Sequence, residues 1–154
     1  MFFQEEESKI TEKEIQVLYQ THPYLIEKEF LSQHIIPQHS LPSGFADIVI
    51  ILENEIVIIE LKVDHLKYTH LLQLNGYLED MKNEIKNEND LRGILIGKSP
   101  KDDLNNAISN LKFEIKYLIL DRDVCINIKI CNKCRLANNI NNSVCEYCSC
   151  GSFL

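Results

Sequence analysis

The chain has 154 residues, 45% hydrophobic and 25% charged, with 16 Lys and Arg against 23 Asp and Glu. That length suits one main domain with a small appendage, and the composition can bury a real core, which excludes wholesale disorder. A net charge of −7 excludes a general nucleic-acid coat, whose affinity would rest on many basic contacts to phosphate. It does not exclude a site in which a cation mediates between carboxylates and phosphate. The acid is concentrated early: residues 1–60 hold 3 basic and 11 acidic side chains (−8), and residues 61–154 hold 13 and 12 (+1). The longest aliphatic run, Ile48-Val49-Ile50-Ile51-Leu52, has five residues, where a membrane helix needs ~20. The first seven residues lack the basic and apolar regions of a signal peptide. A soluble, cytoplasmic protein with no membrane partner is expected.

In chain order, residues 1–10 read as an acidic arm. Thr11-Glu12-Lys13-Glu14 has the form of a capping box, with Ile15, Leu18 and Tyr19 following at helical spacing. His22-Pro23 breaks that helix, because the residue before proline disfavours the helical region. Residues 30–38 predict a strand that Pro37 confines to an edge or an end. Residues 45–52 and 55–62, β-branched and aliphatic on either side of Glu53-Asn54, predict an antiparallel hairpin. Leu71, Leu74, Leu78, Met81 and Ile85 then form the apolar stripe of a helix over 65–87. Ile94-Leu95-Ile96 is a short buried strand, followed by a helix over 102–111 and a strand over 114–120. The order α-β-β-β-α-β-α-β predicts a mixed β-sheet flanked by helices.

Polar residues interrupt the hairpin where the pattern alone would not place them. Asp47 follows Gly44-Phe45-Ala46, while Glu60 and Lys62 end the second strand. A turn at Glu53-Asn54 sets Asp47 nearly opposite Glu60, and strand alternation points Glu60 and Lys62 to one face, with Leu61 on the other. Facing carboxylates raise each other's pKa, and a divalent cation, which prefers oxygen ligands, resolves the conflict. A lysine beside them can orient a water or stabilise charge on phosphate. Taken singly, each is as well read as a solvated charge on a sheet face. On the next helix Gln73 and Tyr77 stand one turn apart, and His70 falls on the same flank.

Gly-x-x-Asp, then Glu-x-Lys, then Gln-x-x-x-Tyr resembles the RecB-like branch of the PD-(D/E)XK metal-dependent nucleases. Within it, residues 11–98 resemble the catalytic domain of the NucS (EndoMS) endonuclease family. Glu12, the Thr21-His22-Pro23 break, Leu25-Ile26-Glu27-Lys28-Glu29 and Phe30 follow the family layout. Gly44 to Asp47, Ile59-Glu60-Leu61-Lys62, and Gln73-Leu74 with Tyr77 complete it. The resemblance implies a restriction-endonuclease-like α/β fold with an αβββαβ core. It implies Asp47, Glu60 and the Leu61 carbonyl as Mg²⁺ or Mn²⁺ ligands, Glu12 as an outer carboxylate, Lys62 as base or electrostatic stabiliser, and Gln73 and Tyr77 as positioners. Glu12 is also read as part of a charged helix face next to its capping box. Three departures stand out. Only about ten residues precede the first helix, so the family's N-terminal DNA-binding and dimerisation domain is expected to be absent. Val63-Asp64 and Gly76 replace residues that are often basic in the family, and the overall charge is acidic.

All six cysteines lie between Cys125 and Cys150. Cys131-x-x-Cys134 and Cys145-x-x-Cys148 form two knuckles, enough for one tetrahedral Zn²⁺ and a small zinc ribbon that metal binding would fold. Disulfides and an iron–sulfur cluster are the rivals; the expected location disfavours the first. Cys150 is an alternative fourth ligand, and Cys125 reads as a core thiol. The expected organisation is an acidic arm (1–10), a nuclease-like domain (11–123) and a zinc ribbon (124–154). The expected activity is Mg²⁺- or Mn²⁺-dependent hydrolysis of DNA phosphodiesters, endonucleolytic, in repair or defence. The ribbon would stand in for the missing DNA-binding domain, and a protein partner or a second copy would assist. The alternative is a catalytically weak, nuclease-fold adaptor that binds nucleic acid or docks a protein.

Overall fold

A computed structural model describes residues 11–31, 34–85, 90–120 and 128–154. The acidic arm and Cys125 lie outside these residues. Helix α1 (Glu12–Thr21) leads through two short 3₁₀ turns (Pro23–Leu25 and Lys28–Phe30) into strands β1 (His34–Leu41), β2 (Gly44–Ile51) and β3 (Glu55–His65). Helix α2 (Tyr68–Glu84), strand β4 (Asp90–Lys98), helix α3 (Leu104–Ser109) and strand β5 (Glu114–Ile119) complete the body. Strands β6 (Ile128–Ile130) and β7 (Ala137–Asn139) form a separate small antiparallel sheet.

The main sheet runs β1-β2-β3-β4-β5. The first two pairings are antiparallel and the last two parallel, so the mixed sheet expected from the element order is present. Pro37 lies in β1, an edge strand, where the missing N–H need not break a ladder on both sides. Phe30 is not part of that strand: it closes a 3₁₀ turn and is fully buried. Strand β3 continues to His65, because the chain keeps pairing with β4 past an irregularity, His65 opposite Lys98, and this delays the start of α2 to Tyr68.

Two apolar layers sandwich the sheet. On one side Leu71, Leu74, Leu78 and Met81 of α2 pack on Val49, Ile56, Ile58 and Leu95. Fully burying one such side chain contributes ~1.5–3 kcal/mol. Gly93 permits the contact: a Cβ there would lie 2.9 Å from Leu74 Cδ2, so the α2 stripe rests almost on the β4 backbone. On the other side Ile15 and Tyr19 of α1, with Phe30, cover Ile48, Ile50, Val57, Ile59, Leu61, Ile94 and Ile96. Thr11 caps α1 by accepting the Glu14 N–H. Among the described residues no helix is long and apolar enough to cross a membrane.

Candidate active site and cysteine cluster

The β2–β3 ladder pairs Ile51 with Ile56 and ends at Ile48 opposite Ile59. One step further, carboxylates replace the aliphatic partners. Asp47 Oδ2 accepts the Leu61 N–H at 2.9 Å, and Glu60 Oε1 accepts the Asp47 N–H at 3.4 Å. The two acids are therefore tied crosswise through each other's strand. Val49 belongs to the α2-side core and so does Ala46, three residues away, so the alternation of faces along β2 slips by one at Asp47. Its β1 neighbour Gln38 has a left-handed backbone (φ 50) that a non-glycine residue seldom adopts. Gln38 Nε2 donates to Asp47 Oδ1 at 3.4 Å, and Gln20 of α1 donates to the Asp47 carbonyl, also at 3.4 Å.

Glu60 is only 2% exposed. Burial, and then the neighbouring Asp47, push its pKa up to about 8, against the opposing pull of Lys62. Lys62 Nζ lies 3.3 Å from Glu60 Oε2 and remains partly open to solvent. From α2, Gln73 Nε2 donates to the Tyr77 hydroxyl at 2.9 Å, and Tyr77 is buried. Burial and the charge of Glu60 raise the Tyr77 pKa, so the phenol stays protonated. Gly44, at φ 144, makes room for it: a Cβ there would lie 2.9 Å from the Tyr77 hydroxyl. His70, one turn before Gln73, accepts the Lys67 N–H through Nδ1 at 3.1 Å. Burial and the nearby Lys62 lower its pKa.

Asp47, Glu60, Lys62, Gln73 and Tyr77 thus converge where β2, β3 and α2 meet. Glu12 does not join them. It is exposed in the first turn of α1 and lines an open cleft with Gln16, Gln20, Pro37 and Gln38. Eight residues separate it from Gln20, about 12 Å along the helix. Gln20 and Gln38 were not anticipated from sequence, nor was Arg92. The Arg92 guanidinium meets Glu27 with two hydrogen bonds (2.9 and 3.0 Å), Glu29 at 2.8 Å and Glu55 at 2.9 Å, and lies 5.6 Å from the Phe30 ring centroid. A lone arginine inside the apolar run of β4, with glutamates at 27, 29 and 55, was the available signal.

Cys131, Cys134, Cys145 and Cys148 bring their sulfurs within 4.8 Å of one another. The Cys131–Cys148 and Cys134–Cys145 Sγ pairs are each 3.5 Å apart. That is far beyond a disulfide bond and close to the ~3.8 Å edge of a tetrahedron with ~2.3 Å metal–sulfur bonds. The two knuckles repeat one backbone design. Lys133 N–H points at Cys131 Sγ and Tyr147 N–H at Cys145 Sγ, each at 3.4 Å. Arg135 N–H and Ser149 N–H bond the Cys131 and Cys145 carbonyls, at φ 65 and 64. Asn138, almost fully buried, donates to Cys145 Sγ. Burial opposes ionisation of Cys145, but the N–H groups of Tyr147 and Cys148 and the Asn138 amide bring its pKa down to about 6. Cys150 stands outside the four; its sulfur accepts the Ser152 N–H at 3.4 Å.

Residues 11–136 match the family model described as the endonuclease NucS C-terminal domain. The chain belongs to this NucS family. Solved structures share the fold. A repair endonuclease from Pyrococcus abyssi is 22% identical, with a TM-score of 0.57 over 74% of this chain and 49% of that one. EndoMS in its dsDNA complex is also 22% identical, with a TM-score of 0.58 over 79% of this chain and 50% of that one. EndoMS in apo form is 20% identical, with a TM-score of 0.54 over 73% and 48%. The NucS-like chain thus spans about half the length of the solved structures it matches. No curated protein matches it. Within this NucS domain the two crossed carboxylates and Lys62 occupy the β2–β3 end nearest α2, and the cysteine cluster follows the last body strand.

Proposed function

We propose that this NucS-family domain is a Mg²⁺- or Mn²⁺-dependent DNA nuclease, acting as an endonuclease in repair or defence. The observation that carries the reading is the buried Asp47–Glu60 pair with Lys62 at 3.3 Å. Glu60 is raised to about 8 by burial and by Asp47, and a cation at the pair would favour its ionised form. Two hard carboxylates and the Leu61 carbonyl fit Mg²⁺ or Mn²⁺. When bound, such an ion lowers the pKa of a coordinated water and offsets charge on the phosphate.

The protein's own groups supply the rest. The Leu61 N–H and Gln38 amide hold the Asp47 carboxylate in one orientation. Lys62, paired with Glu60 and partly exposed, orients the attacking water or stabilises charge developing on the phosphate. Gln73 and Tyr77 position the phosphodiester or Lys62 from the α2 side, and Glu12 acts as an outer carboxylate at the cleft rim. DNA is the substrate, and a second copy or a protein partner completes the binding surface. The body spans 11–123 and the ribbon 124–154, its four thiolates holding one structural Zn²⁺.

A cleavage panel of single-stranded, duplex, mismatched, flapped and branched DNA, with Mg²⁺ and Mn²⁺, tests the reading. Cleavage should need the ion and vanish in Asp47→Ala and Glu60→Ala proteins of unchanged fold. Equal residual cleavage by wild type and Glu60→Ala would remove it. Metal analysis should return one zinc per chain, lost in Cys134→Ser; iron instead would replace the zinc assignment.

A further inference from the structure

Tyr24 lies in the 3₁₀ turn just after α1, is 6% exposed, and takes no part in the site described above. Its phenol oxygen accepts the Ala137 N–H at 2.7 Å, across 113 positions of sequence, and meets His22 Nδ1 at 2.8 Å. Tyr147, between Cys145 and Cys148, packs edge-on against the Tyr24 ring at 5.2 Å. Lys28 and Glu146 add an exposed ion pair at 3.2 Å on the same seam. On the ribbon side, Ala137 precedes Asn138, whose side-chain Nδ2 donates to Cys145 Sγ and whose side-chain Oδ1 accepts the Glu146 N–H at 2.8 Å. The backbone group that docks Tyr24 is therefore built on the cysteine cluster.

On the body side, α1 is thinly anchored. It buries only Ile15 and Tyr19, whereas α2 buries five side chains. Yet α1 carries Gln20, which holds the Asp47 carbonyl, and its flank lines the cleft beside Asp47. Its C-terminal end is continuous with the turn that Tyr24 pins, through the His22 N–H to the Leu18 carbonyl and the Leu25 N–H to the His22 carbonyl. A helix with two buried anchors depends on its end contacts.

We propose that Tyr24 is a positioning residue that couples metal occupancy of the four-cysteine ribbon to the placement of α1 against Asp47. The ribbon metal is then required at the carboxylate site although it lies outside it. Without the ion the ribbon does not hold Ala137 and Tyr147 in place, because so small a module folds only around its metal. Tyr24 loses both its partner N–H and its ring contact, and α1 with Gln20 is released from Asp47. The consequence for cleavage rests on the nuclease reading; the structural coupling does not.

The test is amide hydrogen exchange on the full chain, with the ribbon metal bound and after its removal by a zinc chelator, in wild type and Tyr24→Phe. Metal removal should accelerate exchange in α1 at least about 10-fold while β3 and α2 hold, and Tyr24→Phe, metal still bound, should give about 3- to 10-fold, the size of one lost hydrogen bond. Unchanged α1 exchange on metal loss, equal acceleration of α1 and α2, or a Tyr24→Phe protein that matches wild type would each overturn the coupling. In a parallel cleavage assay the Tyr24→Phe protein should need more Mg²⁺ for the same rate. If exchange moves as stated but wild type cleaves nothing, the coupling stands and the nuclease reading fails.

Discussion

Asp47 and Leu61 are joined by a hydrogen bond of 2.9 Å from the Leu61 N–H to a carboxylate oxygen, at the point where the β2–β3 ladder stops. A side chain has taken over from a backbone carbonyl as the acceptor. The first acid is thereby held against the strand that supplies the second, Glu60, and both sit in a nearly dry part of the sheet. Such a pair is costly to ionise without a cation.

That cost should be visible as a pH dependence. Glu60 has a folded pKa of about 8, above its ordinary 4.5. Between these values the folded chain binds more protons than the unfolded one, so the contribution of Glu60 to stability falls as pH rises from about 4.5 to about 8. Zinc-loaded protein without Mg²⁺ should therefore show a Tm that declines across this window. Glu60→Gln should flatten the decline, and Mg²⁺ should raise Tm more at pH 8 than at pH 5.5. A Glu60→Gln profile parallel to wild type would show that other groups set the slope.

Lys62 is partly exposed, and among the described residues its ion pair is with Glu60, so replacing it should spare the fold. Lys62→Met should lower kcat by about 10²–10³-fold, the usual loss when one electrostatic stabiliser is removed. Its Tm should stay within a few degrees of wild type. Single-turnover cleavage with circular dichroism melts would check both.

Gly44 and Tyr77 form a lock. Gly44→Ala would put a methyl 2.9 Å from the Tyr77 hydroxyl at a backbone angle of φ 144. Destabilisation of about 1–3 kcal/mol is expected from strain of this kind, measurable by urea unfolding. Cleavage should fall as well, since Tyr77 is pushed off Gln73. Tyr77→Phe in the Gly44→Ala background should recover part of the stability by removing the oxygen that clashes; no recovery would place the strain in the backbone alone.

Arg92 concentrates three carboxylates from two distant segments on one buried guanidinium. Burial opposes ionisation of Glu27, but its bonds to Arg92 prevail and leave its pKa below the ordinary value. Arg92→Ala strands these acids and should cost about 3–5 kcal/mol, as for other broken buried pairs. Arg92→Lys should recover only part, because one ammonium cannot reproduce the two-pronged contact with Glu27. Equilibrium urea denaturation of the three proteins checks the order.

Much of the fold was legible because it is local. The β2–β3 hairpin follows from two β-branched runs about a two-residue turn, and the α2 stripe from its spacing of three and four. The edge position of β1 was marked by Pro37. The pairing of Asp47 with Glu60 in space was legible for the same reason, since a hairpin register follows from its turn. The limits of β1 and β3 were not, because strand length depends on how far the neighbouring strand accompanies it. His65 reads as helix by sequence but pairs with Lys98.

Residue types and spacings by themselves determined the order of elements to be expected, the acid–acid–lysine set and the four-thiol pattern of the tail. Only tertiary structure decided what surrounds them. Gln20, Gln38 and the Leu61 N–H reach Asp47 from three different elements, and Arg92 finds Glu27 and Glu29 more than 60 positions away. Tyr24 joins the body to the ribbon across 113. Glu12 lines the same cleft as Gln20 and Gln38, a neighbourhood that its place in the sequence does not specify. Local patterns are set by bonds between neighbours in sequence. A polar group's partner depends on which distant surfaces the apolar layers bring together, and no local spacing encodes that.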